Sequence, residues 1–245
     1  MINSKIVIVM PAYNAERTVK DTYYEIPEKY RRHIILVDDK SSDNTVSVAK
    51  KLGIKVFTHT KNLGYGGNQK TCYLEALKLN PDIVVMLHPD YQYDANLIEE
   101  LIRPIEQGRF DFMFGSRIQD RFSEINGGMP LLKYYINRLV CLLENTFLGV
   151  NFTEHFSGFR AYSSKLLKTI PFQYFSDDFV FDQQITVSAL SYNFKIGEIP
   201  IPTRYHQKAS SIQFIKGTRF IIETFVVIFL YDLHKLGFAK SKLFK

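Results

Sequence analysis

Along the first half of the chain the apolar positions fall in short unbroken runs, each ending in polar or charged residues. The runs cover residues 5–10, 33–37, 54–58, 83–87 and 110–115. Apolar runs without alternation predict strands buried on both faces, as in a parallel sheet. The segments between them predict helices over 15–30, with Asn14 as N-cap, over 44–52, closed by Gly53, over 69–79 and over 95–107. Strands alternating with helices at short intervals predict an α/β fold, a mainly parallel sheet flanked by helices.

The second half is less regular. Residues 119–129 are polar and contain Gly127-Gly128, a pattern expected of a mobile loop. A long apolar helix is expected over 130–148, a strand over 156–162, a helix over 179–191 and a strand over 195–204. Residues 210–236 read as one long helix, apolar all round from 225 to 231. With no repeat, low-complexity stretch or clear linker, the reading is one domain, 1–209, with a helical C-terminal extension, 210–245.

Composition narrows the class. Apolar residues make up 46% and charged residues 23%, which supports a sizeable core and excludes global disorder. The net charge of +6 suits phosphate-bearing ligands or an anionic membrane surface. No compact basic block interleaved with aromatics argues for nucleic acid. Cys72 and Cys141 lie in apolar helical contexts and read as buried thiols of a reducing compartment. The N-terminus runs straight into a strand, so no signal peptide is expected. No stretch of 18 uncharged apolar residues predicts a spanning helix.

The central run, 83–87, ends in His88, Pro89 and Asp90. Open α/β sheets bind ligands at the carboxyl ends of their strands. His88 and Asp90, two apart in extended backbone, are able to share a side, and an imidazole with a carboxylate can hold a divalent cation and, through it, a diphosphate. Asp90 would equally well open a turn. Asp38-Asp39, at the end of the second run, would accept hydrogen bonds from a base or ribose, or cap the next helix. The glycine-rich stretch 61–68 would cradle phosphate through backbone N–H groups, although it lacks the Walker and G-x-G-x-x-G spacings.

Six motifs occur in one order: Pro11-Ala12-Tyr13-Asn14, Val37-Asp38-Asp39-Lys40-Ser41-Ser42-Asp43-Asn44-Thr45, Asn62-Leu63-Gly64, His88-Pro89-Asp90, Gly115-Ser116-Arg117 and Ser157-Gly158-Phe159-Arg160. Together they resemble the family 2 glycosyltransferases of the GT-A (Rossmann-like) fold. Within these they are most similar to the branch of dolichyl-phosphate mannose synthase and bacterial polyprenyl-phosphate sugar transferases. The resemblance implies an inverting transfer of a sugar from a nucleotide-diphosphate sugar, with a polyprenyl phosphate or lipid-linked glycan as acceptor. It implies that Pro11, Tyr13, Asn14, Asp38, Asp39, Gly64 and His88 line the donor-nucleotide pocket. Asp90, with His88, would hold Mg²⁺ or Mn²⁺, and Arg117, Arg160, Arg204 and Lys208 would contact phosphate or acceptor. Glu154 and Asp182 are the candidate catalytic bases, with Asp178 as a rival. His88 stands where the family has an acid, which favours Mn²⁺ over Mg²⁺. Lys40 stands where a glycine is usual.

Residues 212–236 interleave Lys216, Arg219, Glu223, Asp232 and Lys235 with large apolar residues. This helix is expected to lie in a membrane interface, or to pack on its own domain or a second subunit. The expected setting is the cytoplasmic face of a membrane, in cell-envelope polysaccharide synthesis. The alternatives are a transferase with a soluble glycan acceptor and a catalytically weak scaffold subunit that binds nucleotide sugar.

Overall fold

The computed structural model describes residues 4–118, 131–202, 204 and 214–245. Its strands are β1 (Ile6–Ala12), β2 (Ile34–Asp38), β3 (Lys55–Thr58), β4 (Ile83–Met86), β5 (Phe112–Ser116), β6 (Arg160–Ser163) and β7 (Ile196–Pro200). Its helices are α1 (Val19–Glu25), α2 (Thr45–Lys51), α3 (Gly64–Leu77), α4 (Ile98–Glu106), α5 (Leu131–Leu148), α6 (Ser164–Thr169), α7 (Phe181–Ser191) and α8 (Phe214–Lys235). The strands form one seven-stranded sheet in the order β3-β2-β1-β4-β6-β5-β7. The order reverses beside β1, so the crevice outside the carboxyl ends of β1 and β4 is the switch point of an open α/β sheet.

Alternate residues of the central strands serve two cores, as the pleat requires. Ile8, Met10, Leu36 and Val85 pack with Leu101 and Ile102 on one face. Val7, Val9, Ile35, Val84 and Met86 pack with Tyr73, Phe112 and Phe181 on the other. Burial on both faces explains why these runs lack alternation.

The sheet is parallel from β3 to β4 and between β5 and β7, but β6 runs antiparallel to both β4 and β5. This strand therefore starts at the crevice, with Arg160 opposite Met86 at the end of β4. The Ser157–Arg160 motif is delivered to His88 by that reversal.

Several expected boundaries move. The helix expected over 15–30 is only α1, because Pro27 forces Ile26 into extended backbone (φ −60°, ψ 129°) and a 3₁₀ turn (Glu28–His33) follows. Asn14 does not cap it: its φ is +52° and its side chain faces the loop after β2. α3 starts at Gly64, so glycines expected in a loop form its first turn. β6 begins four residues later than expected, and α6, capped by Ser163 on the Leu166 amide (3.2 Å), was not anticipated. The loop expected over 119–129 and residues 205–213 lie outside the described residues.

α8 packs on α7 through Val180, Val187, Val227 and Ile228. The tail folds back onto α7 and α8: Leu243 O accepts from Ser188 Oγ of α7 (2.8 Å), and Phe244 is buried against Tyr231 of α8. Among the described residues no helix is long and apolar enough to cross a membrane.

Candidate active site

Three non-glycine residues with left-handed backbone stand at the carboxyl ends of three adjacent strands: Asn14 after β1 (φ 52°), Lys40 after β2 (63°) and Tyr91 after β4 (61°). Such conformations cost about 1–2 kcal/mol each for an L-residue and collect at functional sites. Lys40 explains its own oddity, since a glycine at this position would adopt the same φ without strain.

The loops after β1 and β2 are laced together. Asn14 N donates to Ser41 Oγ (2.8 Å), Ser42 N donates to Asn14 Oδ1 (2.9 Å), and Ala15 N donates to Thr45 Oγ1 (2.7 Å). Pro11 is buried in β1, and Tyr13, 59% exposed, presents its ring at the rim. Asp38 and Asp39 are both buried but differ in what they do. Asp38 Oδ2 accepts from Ser41 N (3.0 Å), while its Oδ1 is buried with no hydrogen-bond partner. Asp39 accepts from Leu63 N (2.7 Å), Gly64 N (3.0 Å) and His59 Nδ1 (2.8 Å).

Asp39 is therefore the anion at the N-terminus of α3, a position that a helix favours for negative charge. The phosphate cradle expected from residues 61–68 is corrected accordingly. Its first amides go to Asp39, and the Gly66 and Gly67 amides go to Asp177 O (2.8 and 3.2 Å). Gly64 is required twice over, by its φ of 87° and because a Cβ there would lie 2.7 Å from Asp177 O.

Beyond β4 the polar groups answer one another across the fold. Tyr65 Oη donates to Asp182 Oδ2 (2.7 Å) and lies 3.2 Å from His88 Nε2. Because that hydroxyl hydrogen goes to the carboxylate, His88 Nε2 is the donor to Tyr65, which leaves Nδ1 as the nitrogen able to hold a cation. Burial holds the His88 imidazole below its ordinary range, hence neutral, and pushes the Tyr65 phenol well up. Gln69 Nε2 donates to Asp182 Oδ1 (3.1 Å). The His88 ring stacks on Tyr65 and lies against Gly158, where a Cβ would come within 2.7 Å of its Nε2. The Gly158 amide donates to Tyr93 Oη (3.0 Å). Asp90 is half-buried, and its Oδ1 accepts from Gln92 N (3.1 Å).

Among the described residues no three His, Cys, Asp or Glu side chains gather as a metal site. The chemistry of His88 and Asp90, an imidazole nitrogen and a carboxylate, would suit a divalent cation. A mixed nitrogen and oxygen donor set suits Mn²⁺ better than Mg²⁺.

Two expected roles are corrected by burial, and a third residue, Arg204, is held in an ion pair. Arg160 is 1% exposed and donates to Ser157 O (2.7 Å), His155 O (3.0 Å) and Asp182 O (3.0 Å). It fastens main chain and does not reach a phosphate. Glu154 is fully buried and accepts from the Arg117 amide (2.8 Å) and its guanidinium, an arrangement that engages both oxygens and leaves no base open to the crevice. Arg204 is paired with Glu25 of α1 (2.6 and 3.0 Å) over the Tyr91 ring, at the rim beside Asp90. Lys208 lies outside the described residues. The sequence reading missed Tyr65, Gln69, Tyr93 and His59. The one local signal for Tyr65 was its place within the glycine-rich stretch.

The model of glycosyl transferase family 2 matches residues 7–170. The chain belongs to that family. A UDP-N-acetylglucosamine–dolichyl-phosphate N-acetylglucosaminyltransferase of Methanococcus voltae is 28% identical over 97% of this chain and 98% of its own length. An uncharacterized protein of Methanocaldococcus jannaschii is 30% identical over 95% of this chain and 93% of its own. Among solved structures, glucosyl-3-phosphoglycerate synthase from Mycobacterium tuberculosis in complex with UDP superposes with a TM-score of 0.71 at 18% identity, covering 98% of this chain and 82% of that one. Its complex with Mn²⁺, UDP and phosphoglyceric acid gives 0.69 at 16% identity, over 98% and 81%. The fold is thus GT-A, and the family member described here is a glycosyltransferase.

Proposed function

We propose that this glycosyltransferase moves a sugar, with inversion, from a nucleotide-diphosphate sugar to a polyprenyl-phosphate acceptor. The observation that carries this reading is the state of the carboxylates expected as base, of which Asp178 faces Arg219 of α8 (3.6 Å). Glu154 is held by Arg117, and Asp182 by Tyr65 and Gln69. An acceptor hydroxyl needs a base to take its proton, whereas a phosphate is already an anionic nucleophile and needs none. The Methanococcus voltae relative, named for a dolichyl-phosphate acceptor and a UDP-sugar donor, supports the same class.

In this reading Pro11, Tyr13, Asn14 and the bare Oδ1 of Asp38 receive the nucleoside. Asp39 and Gly64 shape the pocket floor by fixing the start of α3. A cation held by His88 Nδ1 and Asp90 supplies positive charge against the leaving diphosphate. Arg117 and, once released from Glu25, Arg204 reach phosphate oxygens. The outward faces of α5 and α8 carry exposed Leu132, Leu139, Leu142, Ile222 and Phe229, which supports contact with a membrane surface on its cytoplasmic side.

The test is a thermal-shift panel of UDP, GDP, CDP and dTDP, each with Mg²⁺, Mn²⁺ or EDTA. Ligand at about 100 times Kd stabilises the native state by about 2.7 kcal/mol. One nucleotide should stand out, more strongly with Mn²⁺, and the gain should vanish in Asp90→Ala. Absence of any shift sinks the donor-site reading. A shift without turnover on polyprenyl phosphate leaves a binding subunit instead.

A further inference from the structure

Behind the crevice a second set of polar side chains is sealed between α5, α7, α8 and residues 152–157. The Glu144, His155 and Gln183 side chains are all buried, and the site described above uses none of them. Fixed partners give the proton inventory. Phe152 N donates to Asn145 Oδ1 (3.1 Å) and Asn145 Nδ2 donates to Phe152 O (2.8 Å), so main chain sets the orientation of that amide. Asn145 Oδ1 is then the atom 2.9 Å from His155 Nε2, and Nε2 must carry a hydrogen. The other ring nitrogen, Nδ1, lies 3.0 Å from Glu144 Oε2, which already accepts from Gln183 Nε2 (3.2 Å). Glu144 Oε1, His155 Nδ1 and Gln183 Oε1 are buried without a hydrogen-bond partner.

This is a surplus of acceptors, and one proton on the Glu144–His155 pair relieves it. An ionised pair would add two charges to a dry region that already holds the Arg160 guanidinium, whose Nη2 is 3.0 Å from His155 O. Burial pushes Glu144 up to about 8 and His155 down to about 3, and each shift favours the neutral form. We propose that Glu144 is kept as a neutral carboxylic acid beside a neutral His155, and that this pair positions residues 152–157 against α5.

That segment is where the consequence falls. Thr153 O accepts from Arg138 Nη1 of α5 (2.8 Å), Glu154 holds Arg117, and His155 O and Ser157 O hold Arg160. Deprotonation would set a carboxylate against the Nδ1 lone pair and drive α5 from the segment. The groups facing the pair are Asn145 and Cys141 on α5, Gln183 on α7 and Arg160 on β6. Of these the Cys141 thiol, pushed up to about 12 by burial, stays protonated, and Arg160 stays charged. Glu198 on β7 grips the other side of the segment through Thr153 N (3.0 Å). The positioning role rests on the transferase reading, but the protonation state does not.

The experiment uses the full chain with ¹⁵N-labelled histidine. Long-range ¹H–¹⁵N spectra at pH 7 should show His155 as the neutral Nε2–H tautomer. A doubly protonated ring, or the Nδ1–H tautomer, overturns the proposal. Hydrogen exchange of the amides of residues 152–157 is then followed from pH 7 to 9, corrected for the intrinsic rise with pH. The wild type should lose protection by about tenfold or more. Glu144→Gln, whose amide donates to Nδ1 and cannot titrate, should keep it, and the alkaline limb of nucleotide-sugar turnover should move up with it. Identical loss in both proteins, or full protection of the wild type to pH 9, overturns the positioning role whether or not the variant folds well.

Discussion

The two sides of the crevice are built in different ways. On the β1–β2–α3 side, charged and polar side chains are answered mostly by main-chain amides of the neighbouring loop, as Asp39 is by Leu63 and Gly64 and Asn14 by Ser42. On the β4–β6–α7 side, buried side chains reach groups far away in the chain, as Asp182 accepts from Tyr65 of α3 and Arg160 donates to the carbonyls of 155, 157 and 182. The first is a scaffold whose parts fail separately. The second is a coupled network, where removing one group strands several buried partners.

The sharpest break of that contrast is Arg160→Met. It removes a fully buried cation and orphans three carbonyls, so a loss of about 4 kcal/mol is expected in urea unfolding. A loss under about 1 kcal/mol would mean that the network is not coupled. Asp39→Ala should cost less, about 2–3 kcal/mol, because two helix amides lose a charged acceptor at a single place.

The pH dependence of stability comes third. Native Glu144 keeps a proton that the unfolded chain sheds above 4.5, and native His155 lacks one that the unfolded chain binds below 6.5. The contribution of the pair therefore rises from about pH 3 to 4.5 and is level to 6.5, where the two effects cancel. From 6.5 to about 8 it falls, by about 2 kcal/mol. Urea midpoints across this range check it, and Glu144→Gln should abolish the alkaline fall.

Tyr65→Phe should cost about 1–2 kcal/mol by leaving Asp182 and His88 short of a partner. In a double-mutant cycle with Asp182→Asn the two changes should be non-additive by at least about 0.5 kcal/mol, and strict additivity would disconnect them. The smallest effect is a gain. Lys40→Gly relieves a left-handed lysine and should stabilise by about 0.5–1 kcal/mol. If nucleotide affinity falls at the same time, Lys40 also reaches the diphosphate.

The positions of β1, β2 and β4 were readable in the chain because burial on both faces leaves an unbroken apolar run, which is a local property. The motif order was likewise readable, and with it the family. The end of α1 is also written locally, in Pro27, which holds Ile26 in extended backbone. The role of Asp39 is not, because its partners belong to a loop more than twenty residues on.

What the sequence determined by itself was therefore the alternating α/β order, the family, and which residues end the strands. What only the tertiary structure decided was which of those end groups remain available. The phosphate cradle is filled by Asp39, Glu154 is closed by Arg117, Arg160 is buried in main-chain contacts, and Tyr65, beside His88, reaches Asp182 across 117 residues. Strand formation depends on each residue's own hydrophobicity and spacing. The state of a polar group depends on the partners and solvent that packing brings to it, and those come from helices distant in the chain.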